Sequence, residues 1–137
     1  PDLTYEEKKA WLWRYRDACK KADYLRDALA EAQSDTGRTT QQLSGMPAGG
    51  GDGQALPRSV ERIEDAQSAL DDQLYLCDQL KCELLAKLLG LTDPDDHEIM
   101  RRRYVCFQKW ERIAQDLQIS QRQVYRHHRK AIDLLRW

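Results

Sequence analysis

The sequence predicts an all-α fold, a long antiparallel helical hairpin followed by a helix-turn-helix domain. Three observations predict it. Apolar and small residues recur in steps of three and four over residues 5–33 and again over 58–89, the spacing of one helix face turned toward a partner helix. Only seven Gly and four Pro stand among 137 residues, and the Gly crowd into 49–53, so most of the chain is free to be helical. Two cap signals then divide the last third into short helices, the second of which carries a basic face.

The first helix opens at Thr4, and Glu7 three residues on completes a capping-box pattern. Trp11, Tyr15, Ala18, Ala22, Leu25, Leu29 and Ala32 form its seam. The small residues on that seam imply close helix approach. From Ser34 to Pro57 the periodicity stops. Gly, Ser, Thr, Gln and Pro dominate there, and a flexible loop over 34–57 is expected because little apolar surface offsets the entropy of ordering. Leu43 and Met46 are its expected anchors.

Periodicity returns at 58–89 through Val60, Ile63, Leu70, Leu74, Cys77, Leu84 and Leu88, interrupted by the polar Gln67 and Lys81. Gly90 stands where a helix stop in the left-handed region is needed. Two amphipathic helices of similar length should fold back on each other. Pairing with a second chain satisfies the same pattern, so a homo-oligomer through the N-terminal helices is also expected. Residues 1–91 are accordingly read as the hairpin and 92–137 as a second domain.

Asp93 suits an N-cap, Pro94 the first helical position, and Asp95 and Asp96 the positive end of the macrodipole. The helix that follows is expected to run to about Val105, with Ile99, Met100 and Tyr104 inward and Arg101, Arg102 and Arg103 partly outward. Two further helices follow from Trp110. Ile113, Leu117 and Ile119 supply apolar residues for a helix crossing, and Ala114 is the small residue at the contact. Ser120 and Gln123 form a second capping box. Val124, Ala131, Leu134 and Leu135 are expected to continue the buried stripe.

Gln121, Arg122, Tyr125 and Arg126 lie on the outward face of this last helix. Arg and Gln there suit bidentate hydrogen bonds to guanine and adenine edges in a major groove. Ser120, Arg129, Lys130, Arg103 and Lys109 are the candidates for phosphate contacts, which set affinity and register without reading sequence. Charge agrees. Residues 97–137 hold ten Lys/Arg against four acids, a net +6, whereas residues 1–96 carry a net −7. A basic back half points to a polyanion, double-stranded DNA.

The runs His97 to Tyr104, Trp110 to Leu117 and Ser120 to Leu135 resemble region 4 of bacterial sigma factors. Within that group the chain most resembles phage late-gene transcription regulators of the RinA/ArpU type. The residues that carry the likeness are Arg103-Tyr104, then Trp110-Glu111 with Ile113-Ala114, then Ser120 with Val124-Tyr125. Leu43-Ser44-Gly45-Met46-Pro47 also resembles the loop of those proteins. The resemblance implies a promoter-binding activator of late phage genes, acting in the cytoplasm of a bacterial host with RNA polymerase as a partner. Three departures from the pattern stand out. Gln118 occupies a turn position that commonly holds Gly, at a cost on the order of 1 kcal/mol. Lys109 replaces a capping Ser or Thr, and His127 stands where an aliphatic residue usually faces the core.

Other classes find less in the sequence. Cys19, Cys77, Cys82 and Cys106 form no C-x2-C pair, and three histidines add no second half of a zinc site, so no metal and no cofactor are expected. No run approaches the roughly 18 apolar residues of a membrane span. No nucleophile–His–acid arrangement or P-loop ending is present, and the chain reads as a non-enzyme. Trp11, Trp13 and Trp110 are read as packing anchors. Two alternatives keep the same fold: a small terminase subunit that recognises packaging DNA, and a polymerase-docking protein that does not bind DNA.

Overall fold

The computed structural model describes residues 2–45 and 55–137. Among these the secondary structure is entirely helical: α1 (Tyr5–Leu12), α2 (Arg14–Gly45), α3 (Ala55–Leu88), α4 (Pro94–Tyr104), α5 (Trp110–Leu117) and α6 (Gln121–Leu134). No helix among the described residues is long and apolar enough to cross a membrane.

The opening capping box forms as expected. The Thr4 N–H donates to Glu7 Oε2 at 2.7 Å, and the Glu7 N–H donates to Thr4 Oγ1 at 3.2 Å. The single helix expected from residue 5 is instead two, parted at Trp13. Trp13 keeps right-handed dihedrals (φ −78°, ψ −6°). Its carbonyl still accepts from the Asp17 N–H at 3.0 Å, so the chain runs on with only a local loosening.

The loop expected over 34–57 is helical at both of its ends, because α2 stays helical to Gly45 and α3 opens at Ala55. Extending an existing helix avoids the nucleation cost, and Ser, Thr, Arg and Gln tolerate it. The Thr36 hydroxyl donates back to the Ala32 carbonyl at 3.1 Å. Leu43, an expected anchor, lies on α2, whereas Met46 and the glycine stretch at 49–53 lie outside the described residues.

Two compact units divide the chain, Pro1–Ala18 with Cys77–Trp137 in one and Cys19–Leu76 in the other. This differs from the expected split at residue 91, because Leu12 of α1 and Leu84 and Leu88 at the end of α3 share a core with the C-terminal helices. In the unit of residues 19–76, Ala22 is buried and Leu25, Leu29 and Ala32 are half-buried on α2. On α3 the covered row is Ser59, Ile63, Ala66, Leu70 and Gln73, continuing into the other unit through Cys77, Leu80, Leu84 and Leu88. Val60, expected on the seam, is exposed. Ser59 takes its place by donating its hydroxyl to the Ala55 carbonyl at 2.9 Å. Ala66 and Leu80 fill the places where Gln67 and Lys81 seemed to interrupt the pattern, so the 3–4 repeat is continuous.

The core of the other unit gathers Leu12, Leu84, Leu88, Leu91, Met100, Tyr104, Ala131, Ile132 and Leu135. Burying each of the larger side chains contributes about 1.5–3 kcal/mol. A second cluster of Ile99, Ile113, Ala114 and Val124 joins α4, α5 and α6, with Trp110, Leu117 and Ile119 packed against it. Leu134, expected inside, is exposed, and Ile132 is buried instead. Counting helical steps from Val124 explains this, since positions 128, 131, 132 and 135 return to the same face. Lys8 is also buried. Its ammonium donates to the carbonyls of Ile132 (3.2 Å) and Leu135 (2.8 Å) and pairs with Asp2 at 2.9 Å. A cation there meets the negative end of α6 and ties the start of the chain to its end.

Candidate nucleic-acid interface

α5 and α6 are joined by three residues whose geometry follows from two sequence features. Gln118 caps α5 in the left-handed region (φ 57°, ψ 43°), and the Ile119 N–H donates to the Ala114 carbonyl at 3.1 Å. Ser120 then starts α6. Its hydroxyl accepts from the Gln123 N–H at 3.1 Å, while Gln123 Oε1 accepts from the Ser120 N–H at 2.9 Å. The hydroxyl named as a phosphate candidate is therefore engaged in capping. At the other end of α5, Lys109 is the N-cap and supplies no side-chain hydrogen bond.

Val124 and His128 turn inward, which leaves Gln121, Arg122, Tyr125 and Arg126 exposed. The Tyr125 hydroxyl donates to Gln121 Oε1 at 3.3 Å, and the ring meets Trp110 edge-on with centroids 5.3 Å apart. Tyr125 is thus braced at ring and hydroxyl while remaining exposed. Arg122 and Arg126 have neither hydrogen bond nor ion pair among the described residues, and Lys109 shares that condition.

The other basic residues of this region are mostly neutralised. Arg101 and Arg102 both hold Glu98, each at 2.7 Å, and Arg102 reaches Asp116 at 2.9 Å. These guanidinium groups, Arg101 first, hold the Glu98 carboxyl down at about 2. Arg112 also pairs with Asp116. Lys130, expected at a phosphate, instead bridges Asp93 at 2.9 Å and Asp96 at 3.2 Å, which keeps its pKa above the ordinary lysine value. Its position one turn beyond Arg126 sets it over the N-cap of α4. Arg103, another phosphate candidate, is drawn inward. Its guanidinium lies 4.2 Å from the Trp110 ring centre and 5.1 Å from that of Trp13, and Nη1 donates to the Gln108 carbonyl at 3.0 Å. Arg129 remains exposed, 4.1 Å over the Tyr5 ring and only loosely paired with Asp133 at 3.7 Å.

Asp96 is the largest surprise. Expected only as a first-turn acid at the positive end of the α4 macrodipole, it is fully buried, with Oδ1 2.7 Å from His127 Nδ1. His127, half-buried on α6, is the partner of this carboxylate. The signal that could have found the pair is the coincidence of a buried-phase acid in α4 with a polar residue at a core-phase position of α6. Asp93, Asp96 and His127 bring ligand atoms within 4.8 Å of one another. Lys130 already supplies a positive charge to both carboxylates there. Compared with family models, curated proteins and solved structures, the chain gives no match.

Proposed function

We propose that α5 and α6 act as a helix-turn-helix that binds double-stranded DNA, and that the protein is a sequence-specific transcription regulator. In this reading the start of α6 enters the major groove and Gln121, Arg122, Tyr125 and Arg126 meet base edges. The observation that carries it is the selective neutralisation of charge. Most of the basic residues nearby are paired or stacked within the fold, whereas Arg122 and Arg126 stand exposed without a counter-ion on the face that the capping box at Ser120 orients. A cation that needs only solubility gains from an ion pair as well as any other, so an unpaired pair one turn apart favours an external anion.

The finer proposal follows the sigma-region-4 resemblance. The protein would activate late phage genes by holding promoter DNA while another surface contacts host RNA polymerase. The covered rows of α2 and α3 suit an antiparallel hairpin, which would serve assembly or polymerase contact. Selection of bound fragments from random duplex, followed by a gel shift at low salt, tests the DNA reading. Enrichment of one motif and its retardation are expected. No retardation at low salt, where phosphate contacts are strongest, would overturn DNA binding and leave the polymerase-docking role. A ring of many subunits in solution would favour the packaging role over transcription.

A further inference from the structure

We propose that a cavity beside α6 binds a small ring-bearing phosphate, of the size and chemistry of a nucleoside monophosphate. The cavity has a volume of about 440 Å³, within the range of small-molecule sites. Among the described residues its walls carry three cations, Lys9, Arg103 and Arg129, and no carboxylate. The rest of the lining is aromatic: Tyr5, Trp13, Tyr104, Trp110, Tyr125 and His128.

Arg103 is the residue that asks for an anion. It forms no ion pair among the described residues, and its Nε is buried without a hydrogen-bond partner. Burial, with Arg16 nearby, pushes its guanidinium below the ordinary arginine value. A desolvated cation and an orphaned donor are both costly, and an anionic acceptor relieves both at once. The remaining charges face weak competition. Lys9 is 3.9 Å from Glu6, and Arg129 is 3.7 Å from Asp133.

The cations are also held in place before any ligand arrives. Arg103 lies on Trp110, Arg129 lies on Tyr5 at 4.1 Å, and Lys9 sits 5.3 Å from the same Tyr5 ring. Such stacking fixes the donors and lowers the ordering cost of binding. A bare inorganic anion would leave most of the volume empty. An attached planar ring fills it and meets aromatic walls. This site goes beyond the DNA reading and does not depend on it.

The test uses the full chain without DNA, following the indole N–H resonances of Trp13 and Trp110. Each of the four ribonucleoside 5′-monophosphates is titrated, with inorganic phosphate and the parent nucleosides as controls. At least one nucleotide should shift both indoles saturably, about tenfold more tightly than either phosphate or its nucleoside. Arg129→Ala and Lys9→Ala, both at solvent-reachable positions, should each weaken that binding about tenfold while the remaining amide spectrum is unchanged. The proposal is overturned if none of the four moves the indoles, if phosphate binds as tightly as the nucleotides, or if both variants bind like the parent. Shifts produced by a random duplex but by no mononucleotide would also overturn it, assigning the cavity to DNA backbone contact.

Discussion

The Tyr104 hydroxyl lies 2.7 Å from His128 Nε2, with both side chains buried and their rings stacked. Burial pushes the Tyr104 phenol up and the His128 imidazole down to about 4, the latter helped by Lys9, Arg103 and Arg129. Both groups are therefore neutral near pH 7, and tyrosine donates to imidazole. Tyr104→Phe should cost about 1–3 kcal/mol, because it strands a buried acceptor with little change in shape. Chemical denaturation checks this, and an unchanged midpoint would mean that water reaches Nε2. The same pair sets a pH dependence. The unfolded chain takes up a proton on this histidine near 6.5, whereas the folded chain resists until about 4. The stability contributed by neutral His128 is thus complete above about pH 6.5 and is lost as pH falls toward 4, on the order of 3 kcal/mol in all. His128→Gln should flatten the stability profile across that window, and an unflattened profile would place the titration elsewhere.

The elements show which physical signals a sequence carries openly. Caps at Thr4, Asp93 and Ser120 were legible because each rests on a hydrogen bond between near neighbours in the chain. The inward faces of α4 and α5 were legible because 3.6-residue periodicity depends on local geometry alone. The burial of Lys8 and Asp96 was not, since each depends on a partner more than 30 residues away. The surroundings of the phosphate candidates Lys130 and Arg103 were hidden for the same reason: outward phase was readable, but Asp93 and Trp110 nearby in space were not. Exposure of Gln121, Arg122, Tyr125 and Arg126 was legible from phase, and their role remains a proposal. The turn between α5 and α6 yields an element-scale prediction. Gln118 holds φ 57°, where a Cβ is strained. Gln118→Gly should remove that strain at some cost in unfolded-state entropy, for a net gain of about 0.5–1 kcal/mol. A higher denaturation midpoint with unchanged helix content is expected, and a lower one would show that the glutamine side chain contributes a contact that outweighs its backbone.

At the scale of the whole molecule, a formal charge of −1 conceals a division between cations paired within the fold and cations left without an acid beside them among the described residues. Arg101, Arg102, Arg112 and Lys130 spend their charge on Glu98, Asp116, Asp93 and Asp96. Arg122 and Arg126 do not. Because each phosphate neutralised by a protein cation releases condensed counter-ions, the dependence of DNA affinity on salt counts the cations that reach phosphates. Those that read bases instead change sequence preference. Arg122→Ala and Arg126→Ala should each weaken cognate binding by about 1–3 kcal/mol if they meet base edges. An equal loss on random duplex, with the logarithmic salt slope smaller by about 0.9, would assign the residue to phosphate. Lys130→Ala should behave differently from both. It removes an internal bridge, so thermal stability should fall while the salt slope holds. Binding isotherms across a salt series, run beside thermal melts of the same three variants, separate these outcomes. Should Lys130→Ala alone flatten the slope, the bridge to Asp93 and Asp96 opens when DNA arrives, and the division between structural and recognition charge drawn from the free protein would be wrong.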